Sequence, residues 1–483
     1  MTENNIRLRF APSPTGFLHI GNLRTALFGY LLAKSQSGKF ILRIEDTDDK
    51  REVEGAIKSL VDISNWIGIE FDEGPDNGGE YGPYIQSERI DIYQKHIKQL
   101  LDEGKVYRCF CSSERLEEMR KDLEIKKLAP KYDRKCRDLS TEESNKRAQS
   151  GEAYVIRQKM PLEGEVKVID ELRGEIIFNA KDLDDQVLIK SNGIPTYQFA
   201  NVVDDHLMKI THVTRGDEWI ASFPKNVLLY QAFNWQCPKY IHLPLLLNKT
   251  GGKLSKRQGD VFVEDYRNKG YLKEAIVNFC ALLGWHPKDD NEILSLEELK
   301  KSFSVSGLGI SPAVFDIEKL DYYNAHYIRK ADDSELIELS KPFLEKSGLP
   351  TSGQTLERAM SIAKQRLSKL SDAPDALSLF FIKATHDISL ISWKNLSIEE
   401  SKSNLREIFD YMKTIEDWDS KDELESKTIS WIKENKEGRN GDYLWPLRTA
   451  LSGQKNSPSP FEIAWAIGKD EADKRIEEVL LSK

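Results

Sequence analysis

The first 50 residues alternate strand, turn, helix and strand, and this order limits the possible folds more than any other feature. Ile6, Leu8 and Phe10 alternate with arginines, which is the two-residue period of a strand. A turn rich in proline and glycine follows, and apolar residues then recur at helical spacing from about residue 18 to 35. A second strand is predicted over 39–44. A strand–helix–strand unit of this length predicts a parallel sheet that binds a ligand at the carboxyl ends of its strands.

The rest of the chain divides by its patterns. An alternating region with a polar, lysine-rich middle predicts an α+β insertion into the first fold. Past about Asp332 the strand-like alternation disappears and helical spacing continues through Val479. The fold class expected is therefore an α/β Rossmann-type domain with an α+β insertion, followed by an all-helical region. The predicted domain bounds are 1–106 with 190–247, 107–189, 248–331 and 332–483.

Composition excludes several classes of protein. A net charge of −9 argues against a chain that coats nucleic acid over its whole surface, although a local basic groove stays possible. No run approaches the roughly 18 consecutive apolar residues of a membrane span. The first five residues contain no apolar signal core, so no targeting segment is expected. Five cysteines in 483 residues favour a reduced, cytoplasmic chain over a disulfide scaffold.

The first chemical motif is Ala11-Pro-Ser-Pro-Thr-Gly-Phe-Leu-His19-Ile-Gly21-Asn22, in which a strand enters a turn and leaves as a helix. A helix N-terminus has free N–H groups and favours phosphate. Gly21 lacks a side chain, which allows a nucleotide to approach the backbone closely. The alternative is an ordinary strand–helix turn with a surface histidine.

The second motif is Gly251-Gly252-Lys253-Leu254-Ser255-Lys256-Arg257, followed by Gly259. Two lysines three residues apart in a glycine-flanked loop can bring positive charge to a leaving polyphosphate. The loop is not a P-loop, because position 247 would have to be glycine and is leucine. The alternative is a solvated surface loop.

The two motifs together resemble the "HIGH" and "KMSKS" signatures of class I aminoacyl-tRNA synthetases. Four segments make the chain most similar to bacterial-type glutamyl-tRNA synthetases, and the resemblance covers essentially the whole chain. Asn22 replaces the last histidine of the first signature, and Leu254 and Arg257 replace the methionine and final serine of the second. The segments that carry the closer resemblance are Arg9-Phe-Ala-Pro-Ser-Pro-Thr-Gly, Arg43-Ile-Glu45-Asp-Thr-Asp, Pro195-Thr-Tyr197-Gln-Phe-Ala-Asn201-Val-Val-Asp-Asp-His206 and Pro446-Leu-Arg448.

The resemblance implies an enzyme that joins L-glutamate to the 3′ end of tRNA-Glu through a glutamyl-adenylate, using ATP with Mg²⁺. Positioning and charge stabilisation carry the rate of such displacements. His19, Lys253 and Lys256 are the implied catalytic residues, because they would neutralise charge on the phosphates. The residues implied to bind ATP are His19, Gly21, Glu218, Leu245, Leu246 and Lys256.

Glutamate carries two carboxylates and an ammonium, so its pocket needs cations and an anion held apart. Either Arg9 or Arg215 can form a bidentate bond with a carboxylate. Glu45, at the end of the second strand, is the natural partner of the ammonium. The resemblance adds four further residues to the glutamate pocket, namely Ala11, Ser13, Tyr197 and Asn201.

The helical C-terminal region is implied to bind the anticodon, the 107–189 insertion the acceptor end, and the 248–331 segment the tRNA stem. Arg366 matches the arginine that similar enzymes use on the first anticodon base, and Arg448 and Ser457 match other anticodon-facing positions. Read alone, Arg366 would be an exposed helix arginine.

Three cysteines in the insertion predict a zinc site. Cys109 and Cys111 form a Cys-x-Cys pair, and Cys136-Arg-Asp138 supplies two more ligands, which together suit tetrahedral Zn²⁺. An aspartate oxygen is a harder ligand than the histidine of several similar enzymes, so three unmetallated cysteines are the alternative.

The resemblance implies a monomeric glutamate–tRNA ligase, and three alternative functions differ from it in their sequence patterns. A glutaminyl-tRNA synthetase would end in β-barrels, and the helical C-terminal pattern argues against it. The shorter relatives that modify a tRNA nucleotide lack an anticodon domain. A catalytically inactive RNA-binding relative would not need His19, Lys253 and Lys256.

Overall fold

The computed structural model describes residues 6–47, 53–252, 254, 261–382 and 387–482. The chain divides into two compact units. One is formed by Met1–Asp265 and Ile276–Asp316, and the other by Tyr266–Ala275 and Ile317–Lys483.

The strands of the described chain all belong to the first unit. They are β1 (Arg7–Phe10), β2 (Lys39–Leu42), β3 (Val106–Cys109), β4 (Val155–Gln158), β5 (Glu165–Asp170), β6 (Gly174–Asn179), β7 (Val187–Ile189), β8 (His212–Gly216), β9 (Lys239–Leu243), β10 (Leu246–Leu247) and β11 (Ala313–Val314).

The helices continue to the end of the chain. They are α1 (Ile20–Ser35), α2 (Ala56–Ile67), α3 (Ile90–Asp102), α4 (Ser113–Ile125), α5 (Thr141–Gln149), α6 (Tyr197–Leu207), α7 (Phe223–Ala232), α8 (Val263–Asn268), α9 (Lys273–Leu282), α10 (Leu296–Ser302), α11 (Ile317–Lys330), α12 (Asp333–Lys346), α13 (Gln354–Ala363), α14 (Ala373–Phe381), α15 (Ile398–Lys413), α16 (Lys421–Asn435), α17 (Asn440–Ser452), α18 (Pro460–Ile467) and α19 (Lys469–Leu481).

Two sets of strands, β1–β2 and β6–β5–β9–β8, run largely parallel in the first unit, as the strand–helix–strand pattern predicts. β1 pairs parallel with β2, and β9 pairs parallel with both β8 and β5, while β6 adds an antiparallel edge strand. Thr211 joins the two sets of strands, because its N–H donates to the Arg7 carbonyl and its hydroxyl accepts from the Arg7 N–H, both at 2.9 Å. The carboxyl ends of β1, β2 and β8 therefore open toward one edge.

β1 is buried along its whole length, including its two arginines. Arg7 forms a bidentate pair with Glu73 at 2.8 and 2.9 Å, and Arg9 pairs with Asp205 at 3.0 Å. A buried guanidinium requires such a partner, because leaving it unpaired costs several kcal/mol, on the order of 3–5. The alternation of apolar and basic residues thus marks the two faces of β1, and both faces are buried.

The predicted insertion contains the antiparallel sheet β3–β4–β7. Neither α4 nor α5, which lie between β3 and β4, has a buried residue. The small core beside them consists of Tyr107, Cys109, Phe110, Tyr132 and Cys136. A segment with so little apolar surface gains more than most from a cross-link.

From Ile317 onward, helices are the regular elements in the described residues, which confirms the all-helical C-terminal region. α15 and α18 begin with reciprocal capping boxes, Ser397 with Glu400 and Ser459 with Glu462. Each box satisfies backbone N–H groups that the first helical turn leaves unpaired. In the described part of the chain, every helix is too short or too polar to cross a membrane.

Candidate active site

A cleft of about 820 Å³ opens at the carboxyl ends of β1 and β8, at the edge where the sequence predicts a ligand. Most of the residues expected to bind ATP or glutamate line it. They are Arg9, Ala11, Ser13, His19, Gly21, Glu45, Tyr197, Arg215, Glu218, Leu245 and Leu246.

His19 is the N-cap of α1, and its Nδ1 accepts a hydrogen bond from the Gly21 N–H at 3.0 Å. This bond fixes the ring at the positive end of the helix, and it leaves the Nε2 side as the one that carries the proton of a neutral imidazole. A Cβ on Gly21 would lie 3.3 Å from His19 Nδ1, so a larger residue would crowd the ring. The glycine and the histidine of the first motif therefore form one unit.

Glu45 provides a buried anion to the cleft. Its Oε1 accepts from Arg43 Nη2 at 3.0 Å, and in the described chain its other oxygen has no hydrogen-bond donor. Burial raises the pKa of the Glu45 carboxyl to about 7, although Arg43 and Arg9 oppose the shift. An ammonium group that binds beside Glu45 would lower the pKa of this carboxyl again and so favour its ionised form.

Arg9 provides a cation to the same cleft that Glu45 lines. Only its Nε is engaged among the described residues, by Asp205 Oδ1 at 3.0 Å, so both Nη groups are available to a carboxylate. The same Asp205 oxygen accepts from Arg43 Nη1 at 2.7 Å. The Arg9 and Arg43 guanidinium groups hold the pKa of Asp205 below its usual range, against the effect of burial.

Arg215 provides the second cation, from the carboxyl end of β8. Its Nε donates to His242 Nε2 at 3.0 Å, and both Nη atoms donate to Asn226 Oδ1 at 3.3 Å. The guanidinium lies over the Tyr240 ring, 4.7 Å from its centroid. These contacts hold the group in place while it faces the cleft.

Tyr197 and Asn201 differ in their positions. Tyr197 lines the cleft and packs against Trp219 with ring centroids 4.6 Å apart, and burial raises the pKa of its hydroxyl. Asn201 is buried and does not line the cleft; its side-chain amide donates to the Tyr197 carbonyl at 2.8 Å, one helical turn away. In this structure Asn201 therefore supports the start of α6.

The lysine loop lies mostly outside the described residues. Lys253 and Lys256 are not described, and neither is Arg257. Leu254 is described: it lines the cleft, and its N–H donates to the Leu246 carbonyl at 3.1 Å. The described start of the loop thus lies beside Leu246, one of the residues that the sequence predicts to bind ATP.

The three predicted zinc cysteines come together. The sulfur atoms of Cys109, Cys111 and Cys136 all lie within 4.8 Å of one another. Asp138 is exposed and is not brought to this group. The oxygen that lies there is the Tyr132 hydroxyl, 3.2 Å from Cys109 Sγ and 3.4 Å from Cys111 Sγ. Cys237 and Cys280 lie outside the cluster, and all five cysteines are free thiols.

The predicted anticodon residues lie in the helical unit. Arg366 is exposed, just past α13. Arg448 lies over the Trp445 ring at 4.5 Å and donates to the Lys455 carbonyl at 2.9 Å. Ser457 donates to the Pro458 carbonyl at 3.1 Å. No contact in the described chain joins the three, so their shared role stays a prediction.

Sequence reasoning gave no role to three residues that hold the site together: Asp205, His242 and Asp170. Asp205 belongs to a pair of acids within the apolar stretch of α6, which is a signal that a buried cation lies nearby. His242 in β9 and Asp170 in β5 have no local signal, because the residues they contact lie 27 and 72 positions apart in the chain.

Known families match both units. Residues 5–322 match the family of class I tRNA synthetases (E and Q), catalytic domain, and residues 335–480 match the family of anticodon binding domains. A glutamate–tRNA ligase of Clostridioides difficile (strain 630) is 51% identical over 78% of this chain and 79% of its own length. Another, of Clostridium acetobutylicum, is 45% identical over 99% of this chain and 98% of its own.

A solved structure shows the same fold. The glutamate tRNA ligase of Elizabethkingia meningosepticum, crystallised with its amino acid, superimposes with a TM-score of 0.91 at 36% identity over 99% of each chain. The chain therefore belongs to the glutamate–tRNA ligase family of class I aminoacyl-tRNA synthetases.

Proposed function

We propose that this chain ligates L-glutamate to the 3′ end of tRNA-Glu, with ATP as the energy source. An α-carboxylate oxygen of glutamate attacks the α-phosphorus, the bond to the bridging oxygen breaks, and diphosphate leaves. A terminal ribose hydroxyl of the tRNA then attacks the carbonyl carbon, and AMP leaves. The observation that carries the proposal is one cleft that holds a helix-capping histidine, two arginines and a buried acid.

The ATP half of the cleft is assigned to His19, Gly21 and the start of α1. The N–H groups of this helix end favour phosphate, and the absence of a Cβ at position 21 allows close approach. Leu245 and Leu246 would contact the adenine, and Glu218 the ribose side. Lys253 and Lys256 are proposed to neutralise the charge that develops on the leaving diphosphate. Bound Mg²⁺ would share that charge.

The glutamate half is assigned by charge. The two free Nη groups of Arg9 and the fork of Arg215 suit two carboxylates, and the free oxygen of Glu45 suits the ammonium. Tyr197, Ala11 and Ser13 complete the wall of this pocket. A neutral side-chain amide would leave one guanidinium without its anion, so the pocket favours glutamate over glutamine.

The remaining contacts with tRNA are assigned by region. The 107–189 insertion would bind the acceptor end, the 248–331 segment the stem, and the 332–483 domain the anticodon through Arg366, Arg448 and Ser457. We propose that the enzyme works as a monomer in the cytoplasm, where the five free thiols would stay reduced.

The cysteine cluster is proposed to hold one structural Zn²⁺. Three sulfurs within 4.8 Å of one another, with a hydroxyl oxygen beside two of them, fit a closed four-coordinate site. The residues that would hold the metal are Cys109, Cys111, Cys136 and a fourth oxygen donor. The Tyr132 hydroxyl near two of the sulfurs supports Tyr132 in that role, and the sequence predicts Asp138. The metal would stabilise the insertion, and no step of the reaction passes through it.

Two assays test the function. Glutamate-dependent exchange of labelled diphosphate into ATP, with and without tRNA, measures activation. Charging of purified tRNA-Glu and tRNA-Gln measures transfer and selectivity. Glutamylation of tRNA-Glu is expected; binding of tRNA without exchange or charging would instead identify an RNA-binding protein.

A further inference from the structure

Behind Arg215, a chain of hydrogen bonds runs across the sheet from β8 through β9 to the end of β5. Arg215 Nε lies 3.0 Å from His242 Nε2, and His242 Nδ1 lies 2.7 Å from Asp170 Oδ2. The side chains of His242 and Asp170 are fully buried. Neither residue lines the cleft.

The protonation state of His242 follows from its neighbours. A guanidinium Nε–H can only donate, so His242 Nε2 must carry a lone pair. The ring proton is therefore on Nδ1 and is donated to Asp170. Burial, and the positive charges of Arg215 and Arg173, lower the pKa of His242, while Asp170 raises it. The ring is thus neutral and held in a single tautomer.

Asp170 is held as rigidly as the histidine. Its Oδ1 accepts the N–H groups of Leu172 and Arg173, each at 3.0 Å, and its Oδ2 also accepts the His242 backbone N–H at 3.0 Å. Every group that contacts this side chain is a donor, so only the ionised carboxylate satisfies them all. Asp170 therefore fixes the histidine tautomer, and the tautomer provides the acceptor for Arg215.

The other hydrogen bonds of Arg215 show why the acceptor His242 Nε2 matters for the orientation of the guanidinium. Asn226 Oδ1 takes one N–H from each Nη atom and is itself oriented by Gln198, whose Oε1 accepts from Asn226 Nδ2 at 2.9 Å. One N–H on each Nη is left for a ligand. With Nε released, the Asn226 oxygen, shared by both Nη atoms at 3.3 Å, would be the one hydrogen-bond acceptor left to Arg215 among the described residues.

We infer that His242 is a positioning residue for glutamate binding: as an Nδ1-protonated imidazole held by Asp170, it orients Arg215 toward a carboxylate of the substrate. The inference rests on the proposed function, since it assigns Arg215 to the amino acid. Its consequence is specific, because among the described residues no hydrogen bond joins Arg215, His242 or Asp170 to a residue assigned to ATP.

The test compares four variants in the exchange assay. H242A removes the acceptor, and it should raise the KM for glutamate by about 10- to 100-fold, the loss expected for a hydrogen bond to a charged group. H242Q can place its Oε1 near the position of Nε2 and should recover most of that loss. The KM for ATP should stay within about twofold of wild type in both. H212Q, at the opposite end of β8, is the matched control and should behave as wild type.

D170N tests the tautomer. An amide nitrogen facing the ring favours the Nε2-protonated form, so two N–H groups would then face each other at Arg215. D170N should therefore raise the glutamate KM as much as H242A does, although it does not touch Arg215. Histidine-selective ¹⁵N NMR should show a protonated Nδ1 on His242 in wild type, identified by its absence in H242Q, and a protonated Nε2 in D170N.

The outcomes separate the inference from the function. A wild-type protein without glutamate-dependent exchange would overturn the proposed function. Wild-type activity together with an unchanged glutamate KM in folded H242A would overturn the inference alone. Equal rises in the KM values for glutamate and ATP, or a fall in kcat with both KM values unchanged, would show a general structural role and would also overturn it. Unfolding temperatures establish that each variant is folded.

Discussion

Asp205 Oδ1 lies 3.0 Å from the Nε atom of Arg9, a residue that lines the cleft, while Asp205 itself does not line it. The same oxygen lies 2.7 Å from Arg43 Nη1, and Arg43 in turn holds Glu45. One buried carboxylate thus supports both the cation and the anion assigned to glutamate. Asp205, which does not line the pocket, therefore helps to fix the distance between Arg9 and Glu45, the two charged groups assigned to the amino acid.

D205N should weaken glutamate binding and lower stability. The substitution keeps the shape of the side chain but removes the negative charge that offsets the repulsion between the Arg9 and Arg43 guanidinium groups. Breaking a buried pair costs about 3–5 kcal/mol. We expect a lower free energy of unfolding by an amount of this order, measured in urea, and a glutamate KM raised by at least ~10-fold. D122N, whose partner Lys126 is exposed, is the control and should change stability by less than about 0.5 kcal/mol. Wild-type stability and KM in D205N would contradict the assignment.

Glutamate binding should weaken as the pH falls, through Glu45. Burial raises the pKa of this carboxyl to about 7, so below that pH the empty site is increasingly protonated and cannot pair with an ammonium. The glutamate KM should rise by up to about tenfold for each pH unit below this pKa and level off above it. E45Q should give a high KM that varies little with pH. A wild-type KM that stays constant from about pH 8 to 6 would exclude this role.

Local patterns predicted the elements, because a period of two or 3.6 residues is written in neighbouring positions. β1, α1 and β2 begin and end within a few residues of their predicted bounds. The groups that orient the site could not be predicted this way, since Asp205 is 196 positions from Arg9 in the chain. The spacing of residues along the chain also does not predict the direction in which a side chain points. Asn201 turns back to its own helix, and Asp138 faces solvent although it lies two residues from Cys136.

Lys256 is predicted to act on the transition state. Removing one preorganised charge from a phosphoryl site lowers the rate by about 100-fold or more. K256A should therefore reduce kcat for glutamate activation by at least ~100-fold while leaving the KM for glutamate nearly unchanged. Diphosphate exchange at saturating ATP measures both values. A near-normal kcat would remove this lysine from the mechanism.

Arg366 is predicted to read the first anticodon base. It is exposed, and its side chain makes no hydrogen bond or ion pair in the described chain, so its guanidinium is available to RNA. A planar guanidinium separates C from U by its hydrogen-bond pattern, a difference of roughly 1–3 kcal/mol. R366Q should reduce the ratio of kcat/KM between tRNA-Glu and the same tRNA carrying U at that base, with diphosphate exchange unchanged. An unaltered ratio would count against the assignment.

The zinc proposal can be tested without an activity assay. Protein purified without added metal should contain about one zinc per chain, and C109S should lose it, because three thiolates and one oxygen are needed for a closed site. Y132F and D138N then decide the fourth ligand. Tyr132 contacts two of the sulfurs while Asp138 is exposed, so Y132F should weaken zinc retention against a chelator and D138N should not. Chelation should lower the unfolding temperature, since the insertion has few buried side chains to replace the cross-link. Zinc far below one per chain, with full stability in chelator, would leave three ordinary thiols.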